Sequence, residues 1–305
     1  MVRRAYQGAF SRGPGYEPHP AGRLFDETGT AGYYVDYRAK IEARARHPGM
    51  RLEPADAAQL ALGWHERALL GDEEAKPLFL GVCEELASSA RPVPGGLAWP
   101  YTVTVSKYPL PLPWYSGMAQ GQIASAFVRA WKTTGEDRFA ELARQAIQPL
   151  LGRPAFAGLV ADTDQGPAIE ECGPTDPSAH ILNGWIFGLW GVRDVAIAFD
   201  DTECRRLAFD TIDCLAASLS RFDTGWWTRY SLFPHVIPDL AKPFYHRLHV
   251  VQMQVMYALT HDERFARAAT RWRSYDTRLA RVGAVASKVP FAATKRLPAH
   301  RHTAA

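Results

Sequence analysis

Aromatic and amide side chains are concentrated in the segment WYSGMAQGQ, from Trp114 to Gln122. From Ile123 onward, apolar residues recur every three to four positions, which predicts a helix with one buried face. Gln120 and Gln122 fall in the first turns of that helix, where side-chain amides can hydrogen-bond a polar ligand, and Trp114 and Tyr115 can pack beside it. The alternative is that both aromatics belong to the core and both amides are solvated.

Metal and nucleotide chemistry find little support in the sequence. His246 and His249 are three residues apart and could bind a metal from one helical face, but spacing suggests no third ligand. The cysteines form no CxxC pair, which favours free thiols over a zinc site. No glycine-rich phosphate loop or dinucleotide motif is present. We therefore expect no metal and no cofactor. The four cysteines are Cys83, Cys172, Cys204 and Cys214.

Composition limits the classes of protein to consider. The chain has 305 residues, 47% of them apolar, and a net charge of +3, which is too small to indicate nucleic-acid binding. The sequence contains no apolar run of about 18 residues, so it predicts no membrane span. The first residues are basic but lack the apolar centre of a secretory signal. We expect a cytoplasmic protein with no nucleic-acid partner and no membrane span, and a homodimer stays open.

A repeated unit organises the chain. Four times, an apolar helical segment leads through a short acidic turn into a second helical segment, at intervals of about 65 residues. The turns centre on Asp72, Asp137, Asp201 and Asp262. Such regularity is typical of stacked helical hairpins. The sequence therefore predicts an all-α fold, an incomplete α/α toroid of about four helical hairpins, with short β-hairpin insertions on the active-site face.

Long loops precede the helices that should lie innermost. The segment from His180 to Phe199 is apolar on nearly all sides, which predicts an inner helix buried on both flanks. Loops at 91–113, 152–179 and 220–246 should carry function, because long loops on one face of a rigid scaffold usually do. We expect an N-terminal extension packing on the ring at 1–58, the toroid at 59–276, and a basic, disordered tail at 277–305.

Four motifs follow one another along the chain: WYSGMAQGQ at 114–122, EECGPTDPSAHILNG at 170–184, FDTGWWTRY at 222–230 and PDLAKPFYHRLHVVQMQVMYAL at 238–259. Together they resemble the C-terminal catalytic domain of D-glucuronyl C-5 epimerases. The resemblance extends over roughly residues 60–275 in the same order. It implies an α/α toroid and an enzyme that inverts carbon 5 of D-glucuronic acid within a heparosan-type polysaccharide, without a cofactor, to give iduronic acid.

The resemblance also implies catalytic residues. It assigns the catalytic glutamate to Glu171 and the two catalytic tyrosines to Tyr230 and Tyr245, with Glu170 as the alternative if the alignment shifts by one position. The carbon-5 proton is α to a carboxylate, so its removal gives a carbanion that must be stabilised. Inversion requires an acid/base group on each face of the sugar. Burial that raises the glutamate pKa, or cations that lower the tyrosine pKa, would suit these roles.

Two positions depart from the family pattern. The resemblance implies a tyrosine after the catalytic glutamate and an arginine three residues after Tyr230, where this chain has Cys172 and Phe233. His235 or Arg229 could supply the missing positive charge. We expect the substrate-binding set to combine the residues of the first motif with three others. That set is Trp114, Tyr115, Gln120, Gln122, Asn183, His246 and Cys172.

Three functions remain open at this point. The first is the epimerase. The second is a uronate lyase, which removes the same proton but expels the group on carbon 4, so that the product is unsaturated and absorbs in the ultraviolet. The third is a carbohydrate-binding protein that kept the scaffold without the chemistry, consistent with the changes at Cys172 and Phe233.

Overall fold

Helices account for most of the fold. The computed structural model describes residues 31–294 apart from 48, 50 and 152–158. In this part the helices are α1 (Arg38–Arg46), α2 (Pro54–Leu69), α3 (Ala75–Ser89), α4 (Gly117–Thr134), α5 (Asp137–Ile147), α6 (Leu182–Phe199), α7 (Thr202–Phe222), α8 (Pro243–Thr260), α9 (Glu263–Tyr275), α10 (Arg278–Ala286) and α11 (Lys288–Thr294). None of these helices is both long and apolar enough to cross a bilayer.

The helices from α2 to α9 pair into four hairpins, as the repeat predicts. Three of the hairpin turns are short and pass through a residue with positive φ, namely Gly135, Asp200 and His261. Asp201 and Asp262 then cap the second helix of their hairpins by accepting backbone N–H groups. The acidic residues of the repeat thus start outer helices. The predicted incomplete α/α toroid is confirmed.

The inner helices α4 and α6 lie in contact at the centre of the molecule. Their close approach depends on glycine. A Cβ atom on Gly191 would lie within 2.4 Å of three backbone atoms of Gly121, and a Cβ on Gly121 would lie 2.7 Å from Cα of Gly188. Side chains at these positions would force the helices apart. The segment that the sequence predicts as an inner helix is α6, and it is buried along most of its length.

Two β-hairpins are inserted ahead of the inner helices. Strands β1 (Arg91–Val93) and β2 (Gly96–Ala98) pair antiparallel before α4. Strands β3 (Val160–Thr163) and β4 (Gly166–Ile169) do the same before α6, with Val160 opposite Ile169. Both insertions lie in the long loops that were expected to carry function.

The ends of the ring differ from the predicted boundaries. Helix α2 begins at Pro54, so the ring starts inside the predicted extension. The predicted disorder from residue 277 is wrong for residues 278–294, which form α10 and α11. The basic composition there misled the prediction, because the half-buried Lys288 pairs with the fully buried Asp239 instead of extending into solvent. Residues 1–30 and 295–305 lie outside the described residues.

Candidate active site

The first turns of three inner helices meet at one rim of the ring. The N–H of Gly117, which opens α4, donates to the Glu170 carbonyl at 3.0 Å. The N–H of Leu182, which opens α6, donates to the Tyr230 carbonyl at 3.2 Å. Tyr245 lies in the first turn of α8. These contacts connect the loops before α4, α6 and α8, and the hairpin turns lie at the opposite ends of the same helices.

Two adjacent glutamates at this rim have different surroundings. The Glu170 carboxylate accepts the backbone N–H groups of Ala179 and His180 at 3.1 and 2.9 Å, and Nδ1 of His180 lies 2.5 Å from it. Among the described residues, the Glu171 carboxylate accepts one hydrogen bond, from Nδ2 of Asn183 at 3.3 Å. Glu170 therefore fastens its loop to the start of α6. The Glu171 carboxylate accepts fewer hydrogen bonds than that of Glu170 and is therefore the one available to accept a proton.

Burial changes the acidity of Glu171. Desolvation is the largest effect and raises its pKa to about 7, the charge of Glu170 acts in the same direction, and Lys107 and Asn183 oppose them. Gly184 leaves the space for this side chain, because a Cβ there would lie 2.3 Å from Oε2 of Glu171. A carboxylate with a pKa near neutrality can both accept and donate a proton at neutral pH.

Tyr230 and Tyr245 form a pair beside Glu171. Their rings meet edge to face with centroids 4.9 Å apart, and the Tyr230 side chain acts to lower the pKa of Tyr245. Burial raises the pKa of both phenols, and the nearby Glu171 charge raises it further. The sequence analysis considered cations that lower the pKa of a catalytic tyrosine, whereas in the structure the pKa of both tyrosines is raised. Both phenols are therefore protonated at neutral pH and are suited to donate protons.

A cluster of two lysines and one aspartate adjoins the tyrosine pair. Nζ of Lys107 lies 4.3 Å from the centroid of the Tyr230 ring and 2.7 Å from Oδ2 of Asp239. Lys288 binds the other oxygen, Oδ1, at 2.5 Å. Burial alone would raise the pKa of Asp239, but the two ammonium groups outweigh it and hold the pKa below its ordinary value. We call Lys107, Asp239 and Lys288 the lysine–aspartate cluster.

Three side chains complete the immediate surroundings of Glu171. Asn183 has a buried Oδ1 without a hydrogen-bond partner in the described part of the chain, as expected of a group that binds a ligand. The Cys172 thiol is buried, and desolvation together with Glu171 raises its pKa, so it stays protonated. Tyr108 lies close enough for the charges of Asp239 and Glu171 to act on its phenol. Sequence reasoning missed Lys107 and Tyr108, although both lie in the functional loop at 91–113.

The two glutamines of the first motif have protein partners. Nε2 of Gln120 donates to the carbonyls of Leu97 and Ala146 at 2.9 and 2.7 Å, and its Oε1 accepts from Trp99 N–H. The Gln120 amide therefore ties β2 and α5 to α4.

Gln122 is used in the same way. Its Nε2 donates to the Tyr37 hydroxyl at 2.8 Å, and its Oε1 accepts from Gln59 at 3.1 Å. None of these hydrogen bonds joins the Gln120 or Gln122 amide to Glu171.

The remaining predicted substrate-binding residues divide into two groups. Tyr115 exchanges two backbone hydrogen bonds with Gly173, so it borders the Glu171 loop. Trp114 is buried, stacks on Tyr101 at 4.2 Å and donates from Nε1 to a backbone carbonyl.

His246 stacks on Trp227 at 3.8 Å, contacts Thr228 and the Trp272 carbonyl through its ring nitrogens, and has a pKa lowered by burial to about 4. Trp114 and His246 thus have structural contacts, and the expectation that they line the cleft stays a prediction.

Metal-ligand clusters are absent from the part of the chain that the structure describes, where no three His, Cys, Asp or Glu side chains stand together in a suitable group. The neighbouring His246 and His249 are instead bridged by the Thr228 hydroxyl, at 2.9 and 3.0 Å from their Nδ1 atoms. The histidine spacing seen in the sequence therefore serves a buried hydrogen-bond chain.

Comparison with known proteins gives a consistent result. A family model described as D-glucuronyl C5-epimerase C-terminus matches residues 96–274, more than half of the chain. The chain is 28% identical over 199 residues to D-glucuronyl C5-epimerase of Caenorhabditis elegans, covering 59% of this chain and 32% of that protein. It is 22% identical over 181 residues to an uncharacterized protein of Methanocaldococcus jannaschii, covering 58% of this chain and 57% of that protein.

Among solved structures, the unsaturated glucuronyl hydrolase of Bacillus sp. GL1 superposes with a TM-score of 0.51 at 13% sequence identity. The match covers 78% of this chain and 64% of the hydrolase, and it supports the α/α toroid fold alone. The chain thus spans about a third of the nematode enzyme, just over half of the archaeal protein and less than two thirds of the hydrolase.

Proposed function

Because the chain belongs to the family of the D-glucuronyl C5-epimerase C-terminus, we propose that it is an isomerase that inverts carbon 5 of D-glucuronic acid residues in a polysaccharide or glycoconjugate without a cofactor. The observation that carries the proposal is the position of Glu171, with a pKa of about 7, beside the edge-to-face Tyr230–Tyr245 pair. A base and a proton donor in one buried site are what inversion at an acidic carbon requires.

The proposed reaction has two proton transfers. The ionised Glu171 takes the carbon-5 proton, and the electrons of the broken C–H bond move into the adjacent sugar carboxylate. Tyr245 then donates its hydroxyl proton to the opposite face of carbon 5, while Tyr230 donates a hydrogen bond to the phenolate that forms. Return of the Glu171 proton and reprotonation of Tyr245, through exchange with solvent, restore the resting state. Sugar and enzyme keep the same number of electrons throughout, so the reaction needs no oxidant.

Exchange in deuterated water tests the proposal directly. The protein should place deuterium at carbon 5 of a glucuronate polymer, and heparosan-like, chondroitin-like and bacterial uronate polymers should be compared by NMR or mass spectrometry. An ultraviolet-absorbing unsaturated product would instead indicate the lyase. No exchange on any of the three polymers would contradict the enzyme assignment and favour the carbohydrate-binding alternative.

Tyr245→Phe sharpens this test, because it removes one hydroxyl and keeps the ring. Loss of the proton donor on the opposite face should lower the rate of inversion at carbon 5, followed as formation of the epimerised uronate, by about 10²- to 10⁴-fold, with little change in melting temperature. Tyr257→Phe is the matched control, since the Tyr257 hydroxyl bonds Glu263 at the hairpin end of α8, and it should exchange like the wild type. An unaltered rate in Tyr245→Phe would remove Tyr245 from the mechanism.

A further inference from the structure

Building on the proposed function, we infer that Lys107 binds the carboxylate of the sugar and that the C-terminal helix α11 holds Lys107 in place through Lys288 and Asp239. The inference concerns which residue recognises an anionic substrate, and it assigns a positioning role to a helix that follows the region matched by the family model. It rests on the charge balance of the lysine–aspartate cluster, on the hydrogen-bonding capacity left on Lys107, and on its position against Tyr230.

The lysine–aspartate cluster carries more positive than negative charge. Lys107 and Lys288 each bind one oxygen of Asp239, so two ammonium groups share one carboxylate. The Asp239 side chain is fully buried, and those of Lys107 and Lys288 are only 14% and 23% exposed. An excess positive charge that is largely removed from water favours the binding of an anion.

Lys107 retains hydrogen-bonding capacity for that anion. An ammonium group has three N–H donors. Within the described part of the chain, Asp239 is its hydrogen-bond acceptor, and the faces of the Tyr230 and Phe291 rings lie 4.3 and 5.8 Å from Nζ. Lys288 is more fully used, because it donates to the Leu240 carbonyl as well as to Asp239. Of the two ammonium groups, Lys107 is therefore the one suited to an incoming carboxylate.

The position of Lys107 also fits the proposed chemistry. The sugar carboxylate is bonded directly to carbon 5, so an ammonium that binds it must lie next to the acid/base groups. Nζ of Lys107 rests on the ring of Tyr230 and acts electrostatically on Glu171. Negative charge that moves onto the carboxylate during proton removal would be stabilised there by the same ammonium.

Two other positions near Tyr230, at residues 233 and 235, carry no positive charge at neutral pH. The family resemblance implies an arginine at position 233, where Phe233 packs against the rings of Tyr108 and His235. Burial lowers the pKa of His235 to about 4, so its ring is neutral at pH 7. Lys107 reaches the site from a different loop and supplies the positive charge that Phe233 lacks.

Helix α11, which follows the ring helices in sequence, contributes Lys288 to the cluster. Lys288 is its first residue, and Phe291 lies one turn later, with its ring 4.9 Å from that of His235. The Asp239 carbonyl accepts the N–H of Tyr230 at 2.6 Å, so the residue that Lys288 fixes is bonded to the backbone of a candidate catalytic tyrosine. Lys288 is therefore a positioning residue, acting on Lys107 through Asp239.

A comparison of two probes tests the role of Lys107. The probes are a glucuronate-containing heparosan tetrasaccharide and the same oligosaccharide with its carboxyl groups reduced to alcohols, with binding measured by calorimetry. The wild type should prefer the charged probe, and Lys107→Met should weaken binding of that probe by about 10- to 100-fold with little effect on the reduced one. In the exchange assay KM should rise more than kcat falls, and Lys107→Arg should recover most of the preference.

Two further variants complete the experiment. Lys132→Met removes a lysine from the last turn of α4, at the hairpin end, and should behave as the wild type with both probes. Lys288→Met should reduce the preference for the charged probe by a smaller factor than Lys107→Met, and Lys288→Arg should restore it. Circular dichroism verifies that each variant is folded.

The outcomes separate the inference from the proposed function. If the wild type prefers the charged probe through Lys107 but exchanges no deuterium, the proposed epimerase function is contradicted and the carboxylate-binding role of Lys107 is supported. Exchange with unchanged KM and kcat in Lys107→Met, or an equal loss of both probes in that variant, would overturn the inference. A wild type that binds neither probe would overturn it as well.

Discussion

Two of the buried charged clusters in the described part of the molecule differ in how completely they are paired. Between the inner helices α4 and α6, Arg129 donates to Asp194 at 2.7 Å, and Tyr34 donates to the other Asp194 oxygen at 2.6 Å. Arg129 also donates to two backbone carbonyls. At the loop rim, Glu171 accepts one long hydrogen bond, and two ammonium groups share Asp239.

The difference separates structural charge from reactive charge. A buried ion pair in which each charge faces one opposite charge and further hydrogen-bond partners fixes the geometry of its helices. A buried carboxylate with a single amide donor keeps a raised pKa and spare lone pairs, which are the properties of a proton acceptor. Substitutions in the two clusters should therefore have opposite effects, one on stability and the other on turnover.

The largest effect on turnover is expected from Glu171→Gln. The amide has nearly the same shape but cannot accept the carbon-5 proton, so deuterium exchange should fall by about 10²- to 10⁴-fold. The melting temperature at pH 8 should stay the same or rise, because the variant no longer buries an ionised carboxylate. Exchange is measured on the polymer that the wild type accepts, and unfolding by circular dichroism.

Glu141→Gln is the matched control for this prediction. Glu141 is exposed on α5 and bonds Gln145 within its own helix, so the same substitution should change neither exchange nor stability. A Glu171→Gln variant that retains wild-type exchange would move the base elsewhere. A large drop in its melting temperature would make Glu171 a structural residue.

The opposite pattern is expected from Arg129→Met. Removing one partner of a buried pair leaves Asp194 uncompensated, which should cost about 3–5 kcal/mol in the free energy of unfolding. Exchange per folded molecule should change little, since Arg129 lies between helices and away from the loop rim. Denaturant titration gives the free energy, and exchange is normalised to the folded fraction.

Arg138→Met gives the reference for an exposed arginine. Arg138 pairs with Glu84 and Glu136 on the surface of α5, so its loss should cost about 0–1 kcal/mol. Equal losses in the two arginine variants would contradict the structural role assigned to the Arg129–Asp194 pair.

The hairpins and the inner helix were predictable because their signals are local. Apolar spacing of three to four residues and acidic residues that cap helices act over a few positions, so the fold follows from them. The family resemblance pointed to Glu171, Tyr230 and Tyr245, which the structure places together. Their catalytic roles stay predictions until exchange is measured.

Local signals could not show which partner a polar side chain chooses. A glutamine in the first turn of a helix has the same pattern whether its amide meets a sugar or, as for Gln120, the carbonyls of Leu97 and Ala146. The lysine–aspartate cluster joins three segments that are distant in sequence. Its member Lys288 lies in the basic C-terminal segment, which charge counted along the chain predicts to be a solvated tail. Only tertiary packing distinguishes these alternatives.

The smallest effect, and the one that tests the electrostatics of Glu171 most closely, is the dependence of exchange on pH. Glu171 must be ionised to accept a proton, and its pKa is raised from an ordinary 4.5 to about 7. The kcat/KM for exchange should therefore be flat above about pH 7 and fall about tenfold for each unit below it, or about 1.4 kcal/mol per unit.

Stability should follow the same ionisation with the opposite sign. The folded protein holds the Glu171 proton more tightly than the unfolded chain, so this contribution to stability is complete below about pH 4.5 and is lost as pH rises through about 7. Unfolding of the wild type relative to Glu171→Gln should show that loss.

Asn183→Ala removes the hydrogen bond that lowers the Glu171 pKa and should move the exchange profile to higher pH. A profile that is centred near pH 4.5, or is unmoved in Asn183→Ala, would contradict the assignment of Glu171 as the titrating base.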